Sequence, residues 1–372
     1  MKVFTRYFFS EIFRSIIFVL IVFLALFSFF DLISELEVVG QNNYHLPQMF
    51  LYVALGIPSY MYDLMPIAAL IGTIYALAQF ASRSEFTTMR VAGLSTMKTA
   101  WILSKIALIL VLLTFVIGEF IAPMSSRLAQ SVKSNAQGVS YTLGFRTGLW
   151  AKDVIRNEQK QVIGTRFVNA KEFSFEGKLN QVKMYELDDN FKLNTFFEAK
   201  NAEFLGDGQW NLSEVYKSSY KEEQNNNPSV LVEEIKSKKI ISDLTPDILA
   251  VSFLDPNKMS IVDLIKYTQH LFLNKEKSAR YEISLWRKIV YPFAIFVMMA
   301  LALPFAYLHA RSGGVSFKIF IGIMLGVSFL LSNNLFSHLG LLNTWPAPIT
   351  VMLPSLLFMS IALIILARIQ RY

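Results

Sequence analysis

The chain has 372 residues, is 53% hydrophobic and has a mean hydropathy of +0.42, so its long apolar runs assign it to the membrane. It has no cysteine, which excludes disulfides, a thiolate metal site and a cysteine nucleophile. Its net charge of +7 comes without an RNP, zinc-finger or basic-helix pattern, so nucleic acid is not expected as a partner.

A span needs about 20 mostly apolar residues. Ser15–Phe30 is uncharged and continues past Asp31 into Leu32 and Ile33. It is too long for the apolar core of a signal peptide, and no small-x-small site follows it. Leu46–Tyr62 and Leu64–Ser82 are divided by Asp63, beside Pro58 and Pro66, and predict one long, broken second span. Thr99–Ala122 carries only Lys105 and Glu119, each near an end where it can reach water. Ile289–Leu308, Ile319–Ser337 and Pro348–Ala367 complete six spans, three before and three after a polar segment. Basic residues mark one side: Lys2, Arg6 and Arg14, then Arg83, Arg90 and Lys98, then Arg311 and Lys318, then Arg368 and Arg371. The opposite short loops, Ser34–Gln48 and His338–Trp345, hold none, so the basic side and both termini are expected in the cytoplasm.

Between the second and third spans lies "ASRSEFTTMRVAGLSTMK", Ala81–Lys98. It is too polar for lipid and longer than a turn needs. Phe86, Met89 and Arg90 fall at i, i+3 and i+4, one helical face, and Gly93 is placed to end the helix. A small charged helix here can seat in a groove of a soluble ATPase; a solvated interfacial loop is the equal alternative.

The segment from about Met124 to Trp286 is expected outside. Gly206-Asp207-Gly208 and Asp188-Asp189-Asn190 sit between strand-like runs and predict two hairpins. Several such strands point to a sandwich or jelly roll rather than a βαβ unit. Asn225–Ser229 reads as a flexible loop. Ser260 with Asp263 makes a capping pair, after which Ile261, Leu264, Ile265, Thr268, Leu271 and Phe272 form one helical stripe that packs on its own domain. The expected fold is an α-helical membrane protein with six transmembrane helices and an inserted periplasmic all-β, jelly-roll-like domain. Residues 1–123 form the first three spans with a coupling helix at 82–93. Residues 124–259 form the β domain, and 260–372 a connecting helix and the last three spans.

Catalytic chemistry is missing. His45, His270, His309 and His338 are scattered without HExxH, and Gly177-Lys178 lacks a Walker pattern, so no cofactor, metal or ATP site is expected. The middles of the last three spans carry no charge, unlike a gradient-driven transporter. Asp31, Asp63 and Glu119 lie toward the outer side, as interfacial acids or functional ones. Phe23, Phe27 and Phe30 share one helix face, more often a packing or lipid face than a ligand site; a wide cavity for acyl chains is the sharper reading.

Five stretches resemble the lipopolysaccharide export permease family (LptF/LptG): "RSEFTTMRVAG" (Arg83–Gly93), "IGEFIAP" (Ile117–Pro123), "GLWAKD" (Gly148–Asp153), "LTPDILAVSFLDP" (Leu244–Pro256) and "RYEISLWRKIVYPFAIFVMMALAL" (Arg280–Leu303). They occur in order over nearly the whole chain, and "GLWAKD" resembles the G-type more than the F-type subunit. The resemblance implies a permease subunit paired with a sister permease and a dimeric cytoplasmic ATPase. It implies extraction of lipopolysaccharide from the inner membrane and its transfer to a periplasmic bridge protein with a β-jelly-roll domain. By matching position, Glu85 sits in the ATPase groove, with Arg83, Ser84, Phe86, Met89, Arg90 and Gly93 around it. Phe27, Phe30, Asp31, Ser59, Met65, Arg127 and Lys133 are the implied lipid contacts, Lys133 lying near the phosphates. The first span faces the partner permease's fifth as a lateral gate. Where family members carry lysines, this sequence has Asp31, Glu37, Val38 and Ser59. The alternative is a membrane-anchored scaffold for envelope proteins that moves nothing. A lipid-modifying enzyme lacks any recognisable acid, base or metal cluster. A bridge partner is expected to add its own β-domain at a sheet edge and continue the apolar groove, so that Val182–Leu187 and Phe196–Phe204 meet that partner or the lipid.

Overall fold

The computed structural model describes residues 2–41, 43–137, 148–156, 162–174, 177–222, 228–246, 248–249, 255–274, 277–307, 315–343 and 345–370. Arg311, His309, Asn225–Asn227, and the stretch 250–254 of the fourth family-like segment lie outside them. Among the described residues, six helices are long and apolar enough to cross a membrane: Thr5–Leu36, Leu46–Ser82, Thr96–Ala136, Ala279–Ala306, Val315–Leu342 and Ala347–Arg368.

The first span is α1 (Lys2–Leu36) and the second α2 (Leu46–Ser82). The second span was expected to break; it is one helix of 37 residues with Pro58 and Pro66 inside it. In lipid a broken helix exposes backbone groups that no water can satisfy, whereas a proline removes only one N–H. α2 is the central helix, touching helices of the first, third, fourth and fifth spans and the short helix that follows it, and Leu64–Ile74 is buried without interruption. Gly72 lets α1 approach: a Cβ there would lie 2.6 Å from the Ile16 backbone. α1 keeps an apolar face uncovered, including Phe18, Ile21, Phe29 and Phe30.

A short helix, α3 (Glu85–Val91), leads into α4 (Thr96–Val116), a five-residue π-helical turn at Ile117–Ile121, and α5 (Ala122–Gln137). The helix therefore runs through the expected domain boundary at residue 124. Its polar sequence hid it from hydropathy, although Ala, Met, Leu, Lys and Gln are good helix formers.

The outer domain is all-β. β1 (Leu149–Arg156), β2 (Val162–Ser174), β3 (Lys178–Leu187), β4 (Leu193–Gly206), β5 (Gln209–Glu222) and β6 (Pro228–Ile241) form one antiparallel sheet in chain order. The described strands follow each other as next neighbours, without the long crossover of a two-sheet jelly roll. Both expected hairpins form. Asp207 and Gly208 both have positive φ, 48° and 71°, as a two-residue type I′ turn requires. Asp188 Oδ1 accepts from the backbone N–H of Asn190 and of Lys192, both at 2.9 Å. Val182, Met184, Phe197, Ala199, Trp210, Leu212 and Val215 build the core on one face of the sheet.

A buried ionic knot curls that sheet. Arg166 on β2 donates to Glu186 Oε1 (2.9 and 2.7 Å) and to the Ile241 carbonyl (2.9 Å), and pairs with Asp153 Oδ2 at 3.4 Å. Asp153, fully buried on β1, also accepts from the Ser242 hydroxyl at 2.6 Å. Ile241 ends the opposite edge strand, so the two edges meet here. Burial pushes the Asp153 carboxyl above its ordinary value, and the Ser242 hydrogen bond and Arg166 charge only partly offset this.

The connecting helix α6 (Ile261–Leu273) has the expected capping box: Ser260 Oγ accepts from Asp263 N–H, and the Asp263 side chain accepts from Ser260 N–H. Of its predicted stripe, Leu264 and Leu271 are buried, while Ile265 and Phe272 face out. The fourth span is α7 (Ala279–Val290) and α8 (Ala294–Ala302), with 3₁₀ turns at Tyr291–Phe293 and Leu303–Ala306; α9 (Val315–Asn343) and α10 (Ala347–Gln370) complete the bundle.

Candidate functional site

Two regions gather the candidate residues, one at each end of the bundle. At the end away from the sheet, α3 closes in a Schellman motif: Gly93 N–H donates to the Arg90 carbonyl and Leu94 N–H to the Met89 carbonyl, each at 3.0 Å. Gly93 has φ +95°, which glycine adopts without steric cost. Phe86 and Met89 were expected as anchors for a partner. They instead point inward, 3% and 4% exposed. Phe86 meets the Tyr307 ring edge-on at 5.2 Å, and the Arg90 guanidinium lies 5.4 Å over the same ring. Tyr307 in turn donates to Thr96 Oγ1 at 2.8 Å. α3 is thus fixed to the end of the fourth span and the start of α4. Its outward surface consists of Arg83, Ser84, Thr87, Thr88, Arg90 and Val91, with Glu85 half-buried at its start. Glu85 accepts from Tyr7 Oη at 3.3 Å and lies 3.8 Å from Arg83.

At the other end, the implied lipid contacts separate into three groups. Phe27 and Ser59 line a cavity of about 370 Å³ between the first five spans. Phe30 is 58% exposed on the uncovered face of α1, away from that cavity. Met65 is 1% exposed and belongs to the bundle core, so it meets no lipid in this arrangement.

The charged candidates are occupied within the chain. Lys133 Nζ lies 2.6 Å from Glu35 Oε1 and 4.8 Å over the Tyr52 ring. Glu35 also accepts from Tyr44 Oη at 3.1 Å. Asp31 accepts from Tyr60 Oη at 2.6 Å, which turns it toward α2. Arg127 forms an ion pair with Asp263, the residue of the α6 capping box. Burial pushes the Asp263 carboxyl up, but hydrogen bonds from Ser260 and the Arg127 charge outweigh it, and the net effect lies below its ordinary value. Ser59 Oγ sits 3.0 Å from Ser126 Oγ.

Further residues complete this end: Glu119, legible in the sequence as an outer-side acid but without its partner, and three cations that the sequence did not single out. Glu119, in the π turn, accepts from Ile261 N–H at 2.9 and 3.1 Å, placing a carboxylate on the α6 N-terminus, where the helix dipole favours it. π turns recur at functional sites. Lys258, Arg287 and Lys288 line the cavity beside Phe27 and Ser59. A signal was present: Arg287-Lys288 stands directly before the uncharged stretch that starts at Ile289.

The family model for "Lipopolysaccharide export system permease LptF/LptG" matches residues 6–368. The chain belongs to this permease family. The permease is 30% identical over 364 residues to the lipopolysaccharide export system permease protein LptG of Escherichia coli K12, covering 98% of this chain and 97% of that protein. It is also 30% identical over 369 residues to the LptG of Haemophilus influenzae, covering 98% of each. Family membership and six apolar helices make it a multi-pass inner-membrane protein. It is a transport subunit, and not itself an enzyme.

Proposed function

We propose that this permease extracts lipopolysaccharide from the outer leaflet of the inner membrane and passes it along its β domain to a periplasmic bridge protein. Full-length family membership carries this reading. The geometry supports it: a cavity opens between the spans at the β-domain end, and α1 leaves a separate face, with Phe18, Ile21, Phe29 and Phe30, uncovered. A lone helix would place that face in lipid; a sister permease's fifth span would close it as a lateral gate. The termini and α3 lie in the cytoplasm and the sheet in the periplasm, in agreement with the distribution of basic residues.

α3 is the contact with a dimeric cytoplasmic ATPase. Because Phe86 and Arg90 hold it to Tyr307 and Met89 is buried beside them, movement of α3 is carried into the fourth span rather than lost in a loose loop. The recognised surface is Glu85 with Arg83 and Arg90. The bridge protein adds its strand at β1 or β6, the edges of the described sheet; Val182–Leu187 and Phe196–Phe204 lie on the interior strands β3 and β4, which leaves them to the lipid rather than to an added strand. β6 exposes Val230, Leu231, Val232 and Ile241. Purification from detergent followed by mass spectrometry of the bound proteins and lipid tests the proposal. A sister permease, an ATPase and lipopolysaccharide are expected together; a stable permease recovered alone and lipid-free, with an intact membrane extract as input, would leave the scaffold reading.

A further inference from the structure

The cations first expected to meet the lipid phosphates are neutralised inside the chain: Lys133 by Glu35 and Arg127 by Asp263. A different set makes no direct ion pair. Lys258, Arg287 and Lys288 line one cavity, and among the described residues none has a carboxylate within ion-pair distance. Arg287 donates to the Asn334 amide oxygen at 3.3 Å and lies 5.9 Å over the Tyr291 ring. Lys288 Nζ donates to the Met259 carbonyl. Two acids share the wall, Asp63 and Asp255; Asp255 pairs instead with Arg280 at 4.0 Å. The three cations thus exceed the two acids of this wall.

Depth identifies what such a site takes. Lys288 stands immediately before the uncharged stretch that begins at Ile289, so these cations mark the outer edge of the hydrocarbon. Phe27 and Leu330 line the same cavity on its apolar side. A ligand that fills it is anionic at one end and apolar at the other, with its charge at the membrane interface. Asp63 faces all three cations, which leaves this wall one positive charge in excess while Asp255 is engaged by Arg280, and an arginine fork favours a phosphate bidentately.

We infer that Arg287 and Lys258, with Lys288 behind them, bind a phosphate group of the lipid headgroup in this cavity, in place of Lys133 and Arg127. The inference rests on the permease reading above and names the headgroup contact that it requires. It also accounts for the acids along α1: Asp31 and Glu35 hold Tyr60, Tyr44 and Lys133, and do not face the headgroup.

The test measures lipid binding to the purified full-length permease complex, with Arg287→Gln, Lys258→Gln and the rescue variant Arg287→Lys. The probes are lipopolysaccharide, the same lipid enzymatically stripped of its phosphates, and inorganic phosphate at millimolar concentration. Losing one charge-assisted hydrogen bond costs about 1.5–3 kcal/mol, so each Gln variant is expected to bind lipopolysaccharide roughly tenfold more weakly or worse. The stripped lipid should bind wild type and variants alike, and Arg287→Lys should recover part of the affinity. Unchanged thermal stability of the variants separates a lost contact from a lost fold. Wild-type affinity in both Gln variants, or equal wild-type affinity for intact and stripped lipid, would overturn the inference. So would inorganic phosphate that binds at this cavity without competing with the lipid, which marks a small-anion site. If wild type binds the phosphorylated lipid yet never releases it on ATP hydrolysis, the transport reading fails while the phosphate site stands.

Discussion

Charge reversal at Glu85 separates the roles of α3 in folding and in coupling. Within the chain, Glu85 contributes little. Its side chain is 31% exposed, and its partner Arg83 is 60% exposed at 3.8 Å, a pairing worth about 0–1 kcal/mol. The Tyr7 hydrogen bond at 3.3 Å adds about 1 kcal/mol. Glu85→Lys should therefore cost the fold about 2 kcal/mol at most, and Phe86 and Arg90 still hold the helix against Tyr307. Against a partner groove that receives a carboxylate, the reversed charge meets like charge with less water, a penalty of several kcal/mol. About 3 kcal/mol is roughly a hundredfold in association. The assay is threefold: membrane level of the variant, recovery of the ATPase on purification, and lipid release per ATP hydrolysed. The expected result is normal insertion with the ATPase lost, or hydrolysis without release. A Glu85→Lys permease that inserts, retains the ATPase and exports normally would refute the assignment of α3 as the coupling contact.

Phe86→Ala should behave differently: a fully buried phenylalanine costs about 3–5 kcal/mol on truncation, so membrane level and melting temperature should fall before any defect confined to ATPase binding appears. Lys133→Glu should destabilise the outer end of α1 by placing two acids where the 2.6 Å pair now stands, and the exchange Lys133→Glu with Glu35→Lys should restore thermal stability. Arg166→Leu strands Asp153 and Glu186 and should cost the β domain about 3–5 kcal/mol, read as protease sensitivity of the sheet. The Asp263 carboxyl titrates below its ordinary 3.8 in the folded chain, so its contribution is present above about pH 4 and is lost as pH falls through the folded value; Asp263→Asn should flatten that part of the stability curve measured by thermal melts.

The sequence carries some of these features and conceals others for physical reasons. The six spans are legible because a lipid core demands about 20 apolar residues without a break, and nothing else in the chain produces such runs. The Gly206–Gly208 and Asp188–Asn190 hairpins and the Ser260–Asp263 box are legible because each is set by residues a few positions apart. The inward turn of Phe86 and Met89 is not. A face at i and i+3 shows that two residues point together, but the presence of Tyr307 decides which way. The pairing of Lys133 with Glu35 joins positions 98 apart, and Glu119 caps a helix 142 residues later. Hydropathy read these charges as interfacial because it cannot see a partner across the bundle. The unbroken second span went against two prolines whose local preference the lipid overrides. The cavity cations come from the approach to the fourth span and from Lys258 in the linker before α6, meeting only when the bundle closes.

Reconstitution tests whether ATP drives extraction of lipopolysaccharide through this chain. The permease, its sister subunit and the ATPase would be placed in proteoliposomes holding lipopolysaccharide, with the bridge protein added outside and carrying a photo-crosslinker. ATP should produce time-dependent lipid crosslinks on the bridge, absent without ATP and absent with Glu85→Lys. Crosslinks that form equally without ATP, or a complex that hydrolyses ATP while no lipid reaches the bridge, would contradict ATP-driven extraction.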